Sequence, residues 1–219
     1  MDGIFLAKTM LFQGIVEGEI RAMMACLGAR ELRFEKGERI LRMGDFAKEI
    51  GLVLSGSVRI ESVDAWGTTT VMSHKPAGRV FAEAYACAPD KPLMVDVVAA
   101  ENCTVLMIEM ARIVKTCPST CTHHARMLQN LLSILAHNNL DLSSRALVTS
   151  PKTIRGKLLA YLSMKSHEAG AQTFDIPFNR QQLADYLGVD RSALSSELGK
   201  MQREGIVAAE RNRFTVYEL

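Results

Sequence analysis

Two short helical patterns separated by a single glycine restrict the fold of this chain more than any other feature. Asn179, followed three residues later by Gln182, predicts a capping box that begins a helix of about two turns. Gly188 ends this helix, and Asp190 predicts the N-cap of a second helix that runs to about Glu204. A helix, a tight glycine turn and a second helix together predict a helix-turn-helix.

The apolar residues of this segment fit the same arrangement, because Ala184 is small where the two helices approach most closely. In a helix-turn-helix the second helix enters the major groove of DNA and presents its N-terminal residues to the base edges. The leucines expected to close the angle between the helices are Leu183, Leu187, Leu194 and Leu198. The candidates for base contact are Arg191, Ser192, Ser195 and Ser196.

The chemistry of these side chains suits DNA, since Arg191 can form two hydrogen bonds with O6 and N7 of guanine and serine hydroxyls can bond bases or phosphates. Gly205–Ala209 and Phe214–Glu218 predict a hairpin wing with two arginines at its tip. The cations expected to contact phosphates are Arg180, Lys200, Arg211 and Arg213. The alternative is a winged helix that binds protein and leaves these arginines in solvent.

Residues 30–110 have the pattern of many short strands, with glycines between them at intervals of roughly seven to twelve residues. This spacing is typical of an antiparallel barrel or sandwich. A short helix, Glu17–Leu27, is expected before the strands. The predicted strands are Glu31–Phe34, Ile40–Met43, Gly51–Leu54, Ser57–Glu61, Thr68–His74, Met94–Ala100 and Thr104–Glu109.

A long helix is predicted after Pro118, because leucines there recur every seven residues. Such a seam is typical of a coiled coil, and a polar residue within it would fix the register of two helices. Two interpretations stay open: the seam pairs two copies of the chain, or it docks on its own domain. The seam consists of Leu128, Leu135 and Leu142, with Leu131, Leu132 and Asn138 or Asn139 between them.

The long helix is expected to break at Thr149–Pro151, with Ser150 as the N-cap and Pro151 as the first residue of the next helix. That helix is predicted over Lys152–Lys165. The chain then divides into a strand-rich domain (residues 1–116), a pairing helix (117–146) and the helix-turn-helix domain (147–219). Residues 151–219 hold ten Lys and Arg against eight Asp and Glu, whereas residues 1–150 hold sixteen of each, so the small positive excess lies with the helix-turn-helix.

Several classes of protein are excluded at this stage. No stretch approaches eighteen uncharged apolar residues and the N-terminus lacks the features of a signal peptide, so we expect a cytoplasmic protein without a membrane partner. The five cysteines are too few and too scattered for a secreted disulfide scaffold. The histidines form no His-x-His strand motif and no catalytic triad or phosphate-binding loop is present, which argues against an enzyme and against a bound cofactor.

Three stretches of the sequence resemble one known family, the Crp/Fnr family of bacterial transcription regulators. They are Gly51–Ile60 with Gly67 and Gly78–Glu83, then Leu187–Leu194, and finally Met201–Val207. The resemblance implies an α+β protein: an N-terminal antiparallel β-roll like the cyclic-nucleotide-binding jelly roll, a long dimerisation helix and a C-terminal winged helix-turn-helix. It further implies a homodimer formed through Ser119–Leu142, a palindromic operator, a small-molecule effector in the β-roll, and RNA polymerase as a partner.

One departure from the family bears on the effector. Members that bind cyclic nucleotides hold the phosphate with an Arg-Ser or Arg-Thr pair, and Leu93 and Met94 occupy the corresponding positions here. Placing a phosphate against these side chains would be unfavourable, so we predict that cyclic AMP is not the effector. The residues expected to bind a small organic molecule instead are Phe81, Glu83, Tyr85, Leu93 and Met94. The alternative is that these side chains fill the roll.

The cysteines suggest one further possibility at the start of the long helix. Cys117, Cys121 and His124 have the i, i+4, i+7 spacing that places side chains on one helix face, where they could bind zinc, copper or haem or respond to oxidation. The alternative is ordinary packing and capping. An N-terminal iron–sulfur cluster is not expected, because Cys26 is the only cysteine among the first eighty residues.

Overall fold

The computed structural model describes residues 2–114 and 122–217 of the chain. It divides into two compact units, Met1–His137 and Asn138–Leu219. Among the described residues, no helix has both the length and the apolar character needed to cross a membrane.

The first unit begins with two helices, α1 (Gly3–Ala7) and α2 (Glu17–Cys26), joined through a 3₁₀ turn at Met10–Phe12. An antiparallel β-roll follows, with the strands β1 (Arg30–Phe34), β2 (Arg39–Leu41), β3 (Glu49–Ser55), β4 (Ser57–Val63), β5 (Thr69–Pro76), β6 (Val80–Phe81), β7 (Asp96–Ala99) and β8 (Cys103–Glu109). One four-stranded sheet of the roll has the order β1-β8-β3-β6 and the other the order β2-β7-β4-β5. The helices within and after the roll are α3 (Glu83–Ala86), α4 (Met110–Val114) and the long α5 (Thr122–Thr149).

Two apolar cores hold this unit together. One lies in the β-roll, where Val53, Val58, Phe81 and Val105 are buried. The second core joins the N-terminal helices, one face of the β1-β8-β3-β6 sheet and the first half of α5. The Asn130 side chain strengthens this contact by donating hydrogen bonds to the carbonyls of Leu11 (3.0 Å) and Gln13 (2.8 Å).

The two interpretations of the leucine seam apply to different faces of α5. Leu131 is fully buried in the core of its own unit, and so are Met127 and Ile134. Leu132 and Leu142 are 59% and 68% exposed, and neither belongs to any core. Docking on the chain's own domain therefore accounts for Leu131 and for part of the surface of Leu128 and Leu135, and it leaves Leu132 and Leu142 in solvent.

The predicted break after α5 is wrong in detail. The helix continues to Thr149, and the Ser150 hydroxyl donates to the carbonyl of Leu147 (3.0 Å), so Ser150 completes α5 instead of capping the next helix. Thr153 is the actual N-cap, because its hydroxyl accepts a hydrogen bond from the Gly156 amide (3.0 Å). The next helix, α6, consequently spans Ile154–Ala169.

The second unit contains the end of α5, then α6, β9 (Thr173–Asp175), α7 (Arg180–Leu187), α8 (Arg191–Arg203), β10 (Val207–Glu210) and β11 (Arg213–Val216). Its sheet has the order β10-β11-β9. The predicted wing is confirmed as the β10–β11 hairpin, whereas β9 was not predicted because only Phe174 among its three residues is buried. The predicted fold class, a β-roll with a long helix and a winged helix-turn-helix, is confirmed.

Candidate nucleic-acid interface

The start of α7 has the geometry that the sequence predicts. Asn179 Oδ1 accepts a hydrogen bond from the Gln182 amide, and Gln182 Oε1 accepts one from the Asn179 amide, each at 2.9 Å. This reciprocal pair is the predicted capping box. At the other end, Gly188 lies in the left-handed region with φ +62° and ends the helix.

The second helix, α8, begins at a cap that lies beside the candidate DNA-reading residues. Asp190 Oδ1 accepts a hydrogen bond from the Ala193 amide at 2.9 Å, which confirms the predicted N-cap. The Ser192 hydroxyl also donates to Asp190 Oδ1. This hydroxyl contact is the main cause that lowers the pKa of Asp190, so the cap is ionised at neutral pH.

The two helices of the helix-turn-helix, α7 and α8, pack against each other through buried apolar side chains. All four predicted leucines and Ala184 are buried within the core of the second unit. Tyr161 of α6 lies in the same core, in an aromatic cluster with Phe178 and Tyr186. Because one side of α8 is fixed in this core, its opposite side must face outward.

All four candidate base-reading residues lie on that outward side and are exposed. The Ser195 hydroxyl donates to the Arg191 carbonyl at 2.9 Å, which leaves the serine oxygen free to accept from a base or a second donor. Among the described residues, no hydrogen bond or ion pair involves the side chain of Arg191 or Ser196. The guanidinium of Arg191 is therefore available to a guanine edge.

The four candidate phosphate contacts differ in their surroundings. Arg211 lies at the tip of the wing with φ +51°, and Arg213, two residues later, is the first residue of β11, so only one of the two arginines occupies the turn. Lys200 Nζ lies 3.4 Å from a Glu197 carboxylate oxygen. The Arg180 guanidinium lies over the Phe214 ring at 4.9 Å, and its partial burial lowers its pKa.

The sequence did not reveal one residue that contacts the second helix of the helix-turn-helix, Arg155 of α6. Its guanidinium bonds two carboxylates, one within α8 and one at its C-cap: Glu197, at 2.6 Å from Nε, and Glu204, at 2.8 Å from both terminal nitrogens. The seven-residue spacing of Glu197 and Glu204 was the available signal, because it places both on one face of a helix.

The five predicted effector residues are only partly brought together. The Tyr85 hydroxyl accepts a 3.4 Å hydrogen bond from the Met94 amide. The Phe81 ring is fully buried against Gly51 in the core of the roll, and Leu93 and Glu83 are buried as well. Met94 is 72% exposed, so its side chain does not line an enclosed cavity.

An open cavity of about 470 Å³ lies beside this segment and shares none of the five predicted residues. Its lining is mostly apolar, with one lysine and one glutamate. It consists of Lys48, Ala86, Cys87, Pro89, Glu109, Met110, Ala111 and Val114.

The proposed thiol and imidazole cluster is described only in part. Cys117 and Cys121 lie outside the described residues. His124 is 7% exposed, and its Nδ1 has no hydrogen-bond partner within residues 2–114 and 122–217. In the same part of the chain, no three His, Cys, Asp or Glu side chains are grouped closely enough to hold a metal ion.

Two family models match the chain: a cyclic nucleotide-binding domain over residues 31–119 and a Crp-like helix-turn-helix domain over residues 156–219. The transcriptional activator protein FnrL of Cereibacter sphaeroides is 32% identical over 79 residues, an alignment that spans 32% of this chain and 32% of FnrL. The electron transport regulator A of Shewanella oneidensis is 20% identical over 192 residues, or 81% of this chain and 71% of that protein.

Solved structures share the fold at low identity. The catabolite activator protein of Thermus thermophilus aligns with a TM-score of 0.52 and 22% identity, covering 96% of this chain and 94% of that one. The c-di-GMP-responsive global regulator CLP of Xanthomonas campestris aligns with a TM-score of 0.55 and 22% identity, covering 92% and 99%.

Proposed function

The chain belongs to the Crp/Fnr family of DNA-binding transcription regulators, and from this premise we propose that it acts as a homodimer whose two α8 helices read a palindromic operator. A helix-turn-helix dimer places its two reading helices in successive major grooves, about 34–36 Å apart. The operator is then expected to repeat its half-site with two-fold symmetry.

The observation that carries this proposal is the two-sided character of α8. One side is locked in the core through Leu194, Leu198 and Met201, and the other presents an unpaired Arg191 among exposed serines. A guanidinium with no partner in the protein exchanges only hydrogen bonds to water when it meets a guanine edge, and breaks none within the protein. Arg211 at the wing tip supplies a positive charge that attracts the phosphates of DNA whatever the base sequence.

The test compares Arg191→Ala with Arg211→Ala on an operator recovered by genomic footprinting and on a random duplex of the same length. Arg191→Ala should weaken operator binding by roughly 5- to 150-fold for each half-site, equivalent to 1–3 kcal/mol per half-site, and relax the preference at one base pair of each half-site. Arg211→Ala should weaken both duplexes alike. Equal losses on both duplexes from Arg191→Ala would contradict the role assigned to it.

One apolar edge of α5 supports the homodimer, because Leu132 and Leu142 on it are exposed and Leu128 and Leu135 are only partly buried against their own unit. Leu128, Leu132, Leu135, Asn139 and Leu142 follow one another at alternating steps of four and three residues, which is the spacing of a coiled-coil seam. Leu131 is excluded from this seam because it serves the core of its own unit. Of the two candidate polar positions, Asn139 is exposed and lies on the seam. RNA polymerase, as a partner, stays a prediction from the family resemblance.

The effector is proposed to be a small organic molecule other than cyclic AMP. Leu93 is buried and apolar at the position where a phosphate-binding arginine would stand, so a cyclic phosphate finds no cation there. Titration of the purified protein with cyclic AMP should leave its melting temperature and its operator affinity unchanged. A saturable rise in melting temperature would contradict this part of the proposal.

The second candidate is a regulator that responds to metal or oxidation. The observation in its favour is the buried His124 ring, because its Nδ1 has no hydrogen-bond partner and carries a lone pair for a metal when the ring proton is on Nε2. Zinc titration of the reduced protein distinguishes the two candidates. Stoichiometric binding that is lost in both Cys121→Ser and His124→Ala favours a metal sensor, and absence of binding contradicts a zinc-responsive regulator.

A further inference from the structure

Arg155 is placed where it can control α8 without touching DNA. It is the second residue of α6, and all three of its guanidinium nitrogens contact carboxylates of the reading helix. Its side chain is 35% exposed, and the Glu197 and Glu204 side chains are 18% and 44% exposed. One cation therefore ties two points of α8, two turns apart, to a neighbouring helix.

The hydrogen bonds between Arg155 and the two glutamates hold its guanidinium in one orientation. A guanidinium is planar and presents its donors in a fixed fork, so bonding two carboxylates at once restricts the rotation of α8 about its own axis. The hydrogen bonds to Glu204 and Glu197 raise the pKa of Arg155, and the same bonds lower the pKa of both glutamates. All three groups are ionised at neutral pH, and each carboxylate faces the cation.

The surroundings of Glu197 give this clamp a consequence for DNA binding. Glu197 follows Ser196 directly and lies 3.4 Å from Lys200, so it stands at the border of the surface that faces the duplex. A free carboxylate there would repel phosphates and would compete with them for the Lys200 ammonium. With Arg155 in place, Oε1 of Glu197 is bound to the Arg155 Nε at 2.6 Å, and only Oε2 is left for Lys200.

We propose that Arg155 is a positioning residue for operator recognition: it fixes the rotation of α8, which aims Arg191 at its base, and it keeps Glu197 away from the DNA backbone. The inference rests on the proposed function, because α8 must be the reading helix. It adds a specificity determinant that makes no contact with the nucleic acid.

The first experiment compares Arg155→Ala in the full-length chain with Lys152→Ala. Lys152 is an exposed cation three residues earlier, so its removal costs the same charge without breaking the clamp. Operator and random-duplex affinities are measured at one salt concentration. Arg155→Ala should lower the ratio of operator to random affinity by about tenfold, whereas Lys152→Ala should leave this ratio within about twofold, because a residue without ligand contacts acts only through the element it orients.

A triple variant separates orientation from charge. In Arg155→Ala with Glu197→Gln and Glu204→Gln, no unpaired carboxylate remains, so affinity for the random duplex should return to that of the wild type. The ratio of operator to random affinity should stay low, because nothing holds the rotation of α8. Arg155→Lys should recover only part of the ratio, since one ammonium cannot span both carboxylates as the fork does.

Circular dichroism and the melting temperature show whether each variant is folded. The inference is overturned if folded Arg155→Ala discriminates operator from random duplex as well as the wild type does. It is also overturned if the triple variant recovers the full ratio, since Arg155 would then act through charge alone. Failure of the proposed function looks different, because the wild type itself would then show no preference for the operator.

Discussion

At the scale of single residues, Tyr161 is the least satisfied polar group in the second unit. Its ring is fully buried, and its hydroxyl has no hydrogen-bond partner among the described residues. Burial of an unpaired hydroxyl disfavours the folded state, whereas the ring contributes through its contacts with Phe178 and Tyr186. The hydroxyl and the ring therefore have opposite effects on stability.

We predict that Tyr161→Phe leaves the free energy of unfolding unchanged or raises it by up to about 1 kcal/mol, because the ring contacts remain and the unpaired group is removed. Urea unfolding measures the change, with Tyr217→Phe, at a 57% exposed tyrosine, as the control. Burial also raises the pKa of Tyr161 above the ordinary value of 10.0, so at high pH the unfolded chain loses the Tyr161 proton more readily than the folded chain does. Wild-type stability should thus fall above about pH 10 faster than that of Tyr161→Phe. A loss of 2 kcal/mol or more in Tyr161→Phe would show that the hydroxyl has a partner.

Residue-level features were predictable from the sequence where both partners are close along the chain. Asn179 and Gln182 are three residues apart, as are Asp190 and Ala193, so a local pattern specifies both caps. Arg155 and its partners are 42 and 49 residues apart, and no short pattern records such a pair. Its role became visible only when the fold brought α6 against α8.

At the scale of elements, the β-roll depends on a close approach between β3 and β6. Gly51 and Phe81 are register partners, and a Cβ on Gly51 would lie only 2.0 Å from the Phe81 ring. The ring has no free space to move into, because Phe81 is buried in the core of the roll. Gly51 is thus required by packing and not by backbone conformation.

We predict that Gly51→Ala lowers the free energy of unfolding of the first unit by about 1–3 kcal/mol through overpacking. Gly18→Ala is the matched control: Gly18 lies in α2 with no heavy atom within 4 Å of an added Cβ, so alanine should stabilise the unit by up to about 1 kcal/mol. Thermal unfolding of both variants measures the difference. Equal effects from the two substitutions would contradict the packing account.

The contact between α6 and α8 has its own pH dependence. The pKa values of Glu197 and Glu204 are lowered in the folded state, so both carboxylates stay ionised at pH values below 4.5, the ordinary pKa of glutamate. The stabilisation is therefore present above about pH 4.5 and is lost as the pH falls through the lowered pKa values. We predict that the difference in melting temperature between the wild type and Arg155→Ala stays constant from pH 7 to 5 and shrinks below 4.5. A difference that persists unchanged at pH 3 would show that packing of the arginine stem, not the ion pairs, carries the contact.

Element boundaries were predicted well where apolar periodicity and glycine agree, as they do for α7 and α8. They were predicted poorly where capping alone decides. Ser150 and Thr153 are both good capping residues, and only the extension of α5 to Thr149 selects Thr153. The short strand β9 carries no periodic signal, because it is held by its pairing with β11.

At the scale of the whole molecule, α5 takes part in both units. Met127, Leu131 and Ile134 belong to the core of the first unit, and Val148 is buried in the core of the second. We propose that a change in the β-roll reaches the DNA-reading unit through this helix. In this account, effector binding shifts the population between two arrangements of that unit.

We predict that Leu132→Glu weakens the homodimer at least about tenfold without unfolding either unit, because the leucine is 59% exposed in the single chain and would be buried only by a second copy. Ser133→Glu places the same charge at an exposed position of α5, about 100° around the helix from Leu132 and outside the a, d, e and g positions, and should leave the dimer intact. Sedimentation velocity of both variants at several concentrations measures the dissociation. A dimer that tolerates Leu132→Glu would mean that α5 is not the interface.

The most direct test of the account counts protomers on DNA. The footprinted operator and a copy with half a helical turn, about 5 base pairs, inserted between its half-sites are each titrated with wild-type protein and analysed by sedimentation equilibrium. The account predicts two protomers on the operator and loss of specific affinity on the lengthened copy. One protomer per duplex, or equal affinity for both duplexes, would contradict it.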